Sequence, residues 1–119
     1  MRAIRVIAIG RYASRELADE AFRARNEANR AKQQEEGCLQ YELFRSGDDP
    51  CKLVLMELWA SKALYDKHWT EQCAREGLPT ADRLRQAQIE FYEHAQYTVI
   101  DGVWQPVDES DRMTTIRWA

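Results

Sequence analysis

The stretch from Gly37 to Trp69 constrains the fold of this chain more than any other part. Two strand-like runs, Cys38–Arg45 and Lys52–Trp59, flank a short segment of Ser, Gly, Asp and Pro residues, which are typical of tight turns and do not continue a strand. Ser61 follows as a candidate helix N-cap, and apolar residues after it recur at helical spacing. The sequence therefore predicts a β-hairpin that leads directly into a helix.

Within this stretch, the run Gly37–Leu43 (GCLQYEL), the triplet Glu57-Leu58-Trp59 and His68 follow one another at a characteristic spacing. In this pattern, from about residue 4 to residue 69, the chain resembles the antibiotic biosynthesis monooxygenase family of small dimeric α+β barrels. The resemblance implies a fold but not a reaction, because members of the family differ in chemistry. The reaction needs evidence of its own.

The remaining elements extend the hairpin into a sheet. Ala3–Arg11 reads as the first strand, and a helix from Ser14 to about residue 36 ends before Gly37. After a break near Pro79 we expect a third helix over residues 81–92 and a last strand at Tyr97–Ile100. The predicted fold class is α+β: a ferredoxin-like βαββαβ unit with an antiparallel four-stranded sheet, an extra helix before the last strand and a C-terminal arm, as in a dimeric α+β barrel.

The first predicted helix has a core stripe of mostly small side chains. This stripe consists of Leu17, Ala21, Ala24, Ala28 and Ala31. Small side chains let a helix pack close to a sheet, or they leave a cavity for a ligand. Both interpretations remain open from the sequence.

At 119 residues the chain is expected to form a single domain, which we place at residues 1–100, with residues 101–119 as a C-terminal extension. Asp101-Gly102 between two β-prone runs indicates a tight hairpin. Met113–Trp118 is again strand-like, and a free apolar strand promotes aggregation. We interpret this extension as an arm that pairs with a sheet edge or wraps a partner subunit.

Two strands are apolar on both faces, namely the runs at residues 4–9 and 53–58. Such strands need cover on both sides of the sheet. One short chain supplies helices for only one side. We therefore expect a homodimer or an assembly of dimers.

Composition and missing motifs exclude several classes of function. A formal net charge of -3 argues against a nucleic-acid partner, and no apolar run is long enough to span a membrane. Arg2 and Arg5 interrupt the start of the chain, so no signal peptide is predicted and the expected location is cytoplasmic. The three cysteines lack CxxC spacing, and no phosphate-binding glycine loop or HExxH motif occurs. No metal, flavin or nicotinamide cofactor is therefore expected.

His68 is the candidate catalytic residue. It lies near the apolar face of the second helix, and its ordinary pKa near 6.5 suits proton transfer at neutral pH. The resembling family also has a histidine here. A helical histidine beside aromatic residues also occurs as a hydrogen-bonded packing residue, so that reading stays open. The candidate substrate-binding residues around it are Tyr41, Trp59, Tyr65 and Trp69, which can equally be core.

Glu57 completes the candidate substrate-binding set. It interrupts an otherwise apolar strand, and burying it unpaired carries a large penalty. We expect Arg11 or Arg45, on neighbouring strands, to neutralise it. The alternative is a general base with a raised pKa.

The resemblance implies a cofactor-independent monooxygenase that acts on a quinol or anthrone type of aromatic molecule with O₂, with His68 as the base. Two alternatives remain: a cofactor-free isomerase that uses His68 for proton transfer, and a non-catalytic dimeric small-molecule-binding protein whose pocket holds a metabolite or is closed by core aromatic residues. Haem degradation is disfavoured. The residues at the positions used by that branch of the family read Ile9-Gly10-Arg11, His68 and Glu76-Gly77-Leu78, and none matches.

Overall fold

The computed structural model describes residues 2–107. Its elements are β1 (Ile4–Arg11), α1 (Arg15–Lys32), β2 (Cys38–Arg45), β3 (Lys52–Trp59), α2 (Lys62–Glu76), α3 (Ala81–Gln86), β4 (Gln88–Glu93), β5 (Tyr97–Ile100) and β6 (Val103–Pro106). Strands β1 to β4 form one antiparallel sheet in the order β2-β3-β1-β4. The predicted α+β, ferredoxin-like fold is confirmed.

The central hairpin and its helix form where the sequence predicts them. Strands β2 and β3 have the predicted bounds, and in their turn the Ser46 hydroxyl accepts the backbone N–H groups of Asp48 and Asp49. The Ser61 hydroxyl accepts the backbone N–H of Leu64 and so caps α2. These local hydrogen bonds satisfy backbone groups that would otherwise be left over at a turn and a helix start.

Helix α1 differs from the prediction at its end and in the face it turns to the sheet. It ends at Lys32, and Gly37, with φ of 79°, turns the chain into β2. Its fully buried residues are Ala18 and Asn29, whereas Leu17 is 49% exposed. Of the predicted stripe, the alanines at 24, 28 and 31 are exposed as well. The sequence expectation was wrong because polar groups occupy the sheet-facing side and find partners there.

One such partner lies on β2. The Gln33 side chain, at the end of α1, donates to the Tyr41 carbonyl oxygen at 2.9 Å, and the Lys32 ammonium lies 5.5 Å from the centre of the Tyr41 ring. A helix face that hydrogen-bonds a strand in this way need not be apolar.

The fourth strand also differs from the prediction. Gln88–Glu93 pairs with β1, where we expected the second half of a third helix, and that helix ends at Gln86. Tyr97–Ile100, predicted as the last strand of the sheet, instead pairs with β6. Ile89, Phe91 and Tyr92 are residue types that favour strands, and the free edge of β1 provides a partner.

Strands β5 and β6 form a separate hairpin. Asp101 and Gly102 both have positive φ, at 54° and 77°, as a two-residue turn of the predicted kind requires. The proposed domain boundary after residue 100 falls at this turn. The strand expected at Met113–Trp118 lies outside the described residues. Between residues 2 and 107 no helix is long and apolar enough to cross a membrane.

The core that positions the site lies where α2 meets the sheet. Val6, Tyr41, Trp59 and Tyr65 form one buried cluster, and Trp59 is fully enclosed. Partly buried residues pack around it: Ile4, Cys38, Leu55 and Trp69. This cluster forms the surroundings of His68.

Candidate active site

His68 lies on α2 with its imidazole between two carboxylates. Its Nδ1 is 3.0 and 3.1 Å from the two carboxylate oxygens of Glu35, and its Nε2 is 4.0 Å from Oε1 of Glu57. The ring lies over the Trp59 indole, with centroids 4.5 Å apart and planes inclined by 31°. Only 3% of the residue is exposed. The imidazole is therefore held by hydrogen bonding at Nδ1 and by the Trp59 indole on one face, and its Nε2 faces Glu57.

Glu57 is almost fully buried, at 5% exposure, on the helix-facing side of β3. Its Oε1 accepts the Trp59 indole N–H at 2.9 Å. Burial raises the pKa of its carboxyl to about 7, against smaller lowering contributions to the pKa from the Trp59 hydrogen bond and the Lys32 charge. A carboxyl with this pKa exchanges its proton near neutral pH.

The expected neutralisation of Glu57 by an arginine is wrong. Arg11 pairs with Asp49 at 3.2 Å, and Arg45 pairs with Asp19 at 2.6 Å. The β1 position opposite Glu57 is residue 6, so Arg11 lies five residues further along, about 17 Å away at the rise of a strand. Both arginines sit at the far end of the sheet. The buried carboxyl is instead held by an indole N–H and faced by an imidazole.

The predicted aromatic residues do gather around His68. The centroids of the Tyr41 and Tyr65 rings lie 5.6 and 6.0 Å from the imidazole, and Trp59 contacts both tyrosines edge to face. Burial raises the pKa of both tyrosine hydroxyls above the ordinary range, so they remain neutral donors. Trp69 packs at the margin of this cluster and is only partly buried.

A small depression opens beside His68 on the protein surface. Its volume is about 50 Å³, and it is lined by Glu35, Glu36, Leu64, Lys67, His68 and Glu71. Lys67 is paired with Glu36 at 2.9 Å. Pockets that enclose a drug-sized ligand measure about 300–1,000 Å³. In this conformation the depression is too small to enclose a ligand of that size.

Glu35 is the site residue that the sequence reasoning missed. It lies in the turn after α1, outside any periodic pattern, and is 33 positions from His68 in the chain. Only its closeness to the Gly37 motif marks it in the sequence. The turn that returns the chain from α1 to β2 brings it onto the imidazole.

The described residues form no group of three or more His, Cys, Asp or Glu side chains arranged to hold a metal ion. The three cysteines at 38, 51 and 73 are unpaired with one another, and burial raises the pKa of the Cys38 thiol to about 12. A thiol with such a pKa is a poor nucleophile and a poor metal ligand at neutral pH.

The structure thus defines a small ferredoxin-like α+β protein in which a buried imidazole lies between two carboxylates among aromatic rings. The family model described as antibiotic biosynthesis monooxygenase matches residues 5–73, more than half of the chain. The chain belongs to this family. A search of curated proteins finds no match.

Solved structures of similar fold agree with this placement. A conserved protein from Methanosarcina mazei Go1 is 24% identical with a TM-score of 0.64, over 78% of this chain and 93% of that one. A structure described as an antibiotic biosynthesis monooxygenase is 27% identical with a TM-score of 0.57, over 78% and 99%. SnoaB from Streptomyces nogalater, described as a cofactor-independent oxygenase, is 18% identical with a TM-score of 0.55, over 80% and 94%. The likeness to SnoaB is one of fold.

Proposed function

We propose that the protein is a cofactor-independent monooxygenase that acts on a small phenolic aromatic molecule of the quinol or anthrone type. The observation that carries the proposal is the imidazole of His68, held between Glu35 and Glu57 within an aromatic cluster. Buried carboxyls with a raised pKa, such as that of Glu57, are concentrated at functional sites. The fold shared with SnoaB, a cofactor-independent oxygenase, supports the same class.

The chemistry requires a base, aromatic surroundings and hydrogen-bond donors. His68 removes a proton from the substrate, and the resulting electron-rich anion reduces O₂ directly. Glu57, whose pKa is about 7, lies 4.0 Å from Nε2 of the imidazole and takes part in the same proton exchange. The neutral hydroxyls of Tyr41 and Tyr65 stabilise negative charge that develops on the substrate oxygen.

Substrate entry requires movement, because the depression beside His68 holds only about 50 Å³. Leu64 and Lys67 belong to α2 and form one wall of the depression, whereas Glu35 and Glu36 belong to the turn after α1. We place the entrance between these two walls. Movement of the Leu64 and Lys67 side chains away from Glu35 and Glu36 opens the route to the imidazole and the aromatic cluster.

The test is His68→Gln. If His68 is the base, the variant keeps its fold but turns over a quinol or anthrone about 10²- to 10⁴-fold more slowly, the usual contribution of a positioned acid–base group. The measurements are oxygen uptake and thermal melting by circular dichroism. His94→Gln is the matched control, since His94 follows β4 and its backbone N–H bonds the carbonyl of Ala3. A stable His68→Gln protein with undiminished oxygen uptake would refute the proposal, whereas turnover without oxygen uptake would indicate the isomerase.

A specific observation favours a second candidate, a non-catalytic binding protein. The interface between α2 and the sheet is filled, with Trp59 at 0% and Tyr41 at 4% exposure. A pocket closed by its own aromatic side chains needs no substrate. For this candidate, quinols and anthrones are neither bound nor oxidised, and His68→Gln lowers only the melting temperature.

A further inference from the structure

Glu35 makes an unusually symmetrical contact with His68. Both of its carboxylate oxygens lie at nearly the same distance from Nδ1, 3.0 and 3.1 Å, and its side chain is 23% exposed. A protonated carboxyl would direct one O–H at the nitrogen, whereas an ionised carboxylate presents two equivalent acceptors. The geometry fits an N–H on Nδ1 shared between the two oxygens.

The other ring nitrogen has a weaker contact. Nε2 is 4.0 Å from Oε1 of Glu57, which is beyond hydrogen-bond length, and that oxygen already accepts the Trp59 indole N–H. A proton on Nε2 would therefore gain little from Glu57. Of the two neutral tautomers, the one with its proton on Nδ1 has the better partner.

The turn that carries Glu35 is itself fixed by backbone hydrogen bonds. The N–H of Glu35 donates to the carbonyl of Lys32, and the carbonyl of Glu35 accepts the N–H of Cys38, both at 3.1 Å. A partner held by such a turn can orient a ring without first losing much conformational freedom.

Other titratable groups face the imidazole or the depression beside it. They are Glu57 on β3, Tyr41 on β2, Tyr65, Lys67 and Glu71 on α2, and Glu36 next to Glu35. Lys67 is engaged with Glu36. Among the described residues, the side chain in hydrogen-bond contact with Nδ1 is that of Glu35.

We propose that Glu35 is a positioning residue, which holds the proton of neutral His68 on Nδ1 and leaves Nε2 as the basic nitrogen directed at Glu57 and the aromatic cluster. This inference rests on the proposed role of His68 as the base. Glu35 does not touch the reacting atoms in this arrangement. It acts by selecting the tautomer and orientation of the group that does.

The first test reads the tautomer directly. Nitrogen-15 NMR is recorded on the full chain carrying His94→Gln, so that His68 is the one histidine that contributes signals. The spectra are taken at about pH 8, where an ordinary imidazole is neutral. A hydrogen bond to a charged acceptor predicts an excess of the Nδ1–H form of about tenfold or more. An Nε2–H form in excess would overturn the proposal, with no substitution at Glu35 needed.

Variants then assign the cause. Glu35→Ala should abolish the excess of the Nδ1–H form, and Glu35→Gln, which keeps an acceptor oxygen but can also turn its amide toward Nδ1, should give an intermediate value. Glu36→Gln is the matched control for the tautomer, because Glu36 lines the same depression but pairs with Lys67. An unchanged tautomer ratio in folded Glu35→Ala would overturn the proposal.

Kinetics separate this inference from the function on which it rests. Glu35→Ala should lower kcat by about tenfold to a hundredfold, the usual cost of losing an orienting partner, and should change KM little. The kcat of Glu35→Gln should lie between those of the wild type and Glu35→Ala. An active enzyme with Nε2–H in excess would overturn the role of Glu35 alone. A protein that has the Nδ1–H form but consumes no oxygen would refute the monooxygenase and leave the tautomer assignment standing.

Discussion

The carboxyl of Glu57 couples the stability of the protein to pH. Its pKa is about 7 in the folded protein, against an ordinary value of 4.5, because burial penalises the ionised form. The folded state therefore holds a proton that the unfolded state releases between these two values. This contribution to stability is fully present below pH 4.5 and is lost as pH rises through 7.

Glu57→Gln removes the titration and should flatten this dependence. A difference of 2.5 pKa units between 4.5 and 7 corresponds to about 3 kcal/mol of unfolding free energy between pH 4 and pH 8. The amide oxygen still accepts the Trp59 indole N–H, so the fold is kept. Urea unfolding at both pH values measures the effect, and Glu20→Gln, at an exposed site on α1, is the control. Equal pH dependence in wild type and Glu57→Gln would show that Glu57 ionises freely.

Individual residues also show how far the sequence predicts the site. His68 and Tyr65 were predictable because helical spacing places them together on α2, and the family motif marks Tyr41 and Trp59 on the two strands that α2 faces. The partner of Glu57 was not predictable, because it depends on strand register. That register places both candidate arginines at the far end of the sheet. The contact of Glu35 with His68 depends on the path of a turn, and no residue periodicity in the sequence predicts that path. The sequence thus locates the candidate base and its aromatic surroundings but not its partners.

Among the elements, the turn from α1 to β2 packs tightly against the start of α2. Gly37 has φ of 79°, and a Cβ atom built on it would lie 2.4 Å from Cδ1 and 2.9 Å from Cβ of Leu64. Its carbonyl also accepts the N–H of Ala60 at 2.8 Å. A side chain at position 37 therefore meets both an unfavourable backbone conformation and a steric clash, beside the turn that carries Glu35.

Gly37→Ala should lower the unfolding free energy by about 2 kcal/mol or more, from backbone strain and the displacement of Leu64 together. Chemical denaturation measures this loss. Gly47→Ala is the matched control, because its Cβ would contact nothing within 4 Å. In Gly37→Ala combined with Leu64→Ala, relief of the clash should make the joint loss smaller than the sum of the single losses. Strict additivity would leave backbone strain as the sole cause.

The elements differ in how well the sequence predicts them. The hairpin β2–β3 and the start of α2 were predictable because turn residues and a capping serine mark their ends locally. Strand β4 was missed because Leu84, Ala87 and Phe91 also fit a helical period. The residues of β4 form a strand because they can pair with the free edge of β1, which is a tertiary contact that the local sequence does not show.

Over the whole molecule, the sheet has one covered face and one open face. The helices and the aromatic cluster lie on the side of Val6, Tyr41 and Leu55. The other side carries incompletely buried apolar side chains and, towards one end, a hydrogen-bonded group of Arg5, Gln40 and Glu42. The apolar side chains are those of Ile7, Ile9, Phe44, Val54 and Met56. The hairpin β5–β6 adds further exposed apolar side chains, with Trp104 at 69%. Several large apolar side chains left uncovered on one face of a sheet indicate an interaction surface.

We expect this open face to pair with that of a second copy of the chain, in a homodimer or an assembly of dimers. Two such sheets packed face to face form an interface of the obligate class, roughly 2,000 Å² or more in total. Met56, on the central strand β3 and opposite Ile7, would lie near its middle. Met56→Glu would bury an unpaired charge there at a cost of about 3–5 kcal/mol, so dimer affinity should fall at least a hundredfold.

Sedimentation at micromolar concentration decides the matter, with circular dichroism to verify that each variant is folded. The wild type should sediment as a dimer or larger, and Met56→Glu as a monomer. Leu17→Glu supplies the matched control, since Leu17 is a comparably apolar side chain, 49% exposed, but lies on the outer side of α1, away from the open face. It should therefore remain dimeric.

A wild-type monomer would refute the pairing, and equal dissociation by both glutamates would place the interface elsewhere. Dimerisation that survives Met56→Glu would likewise argue against the open face, because position 56 lies directly opposite the like charge of Glu42 on β2 and the nearby Arg5 side chain is engaged with Gln40.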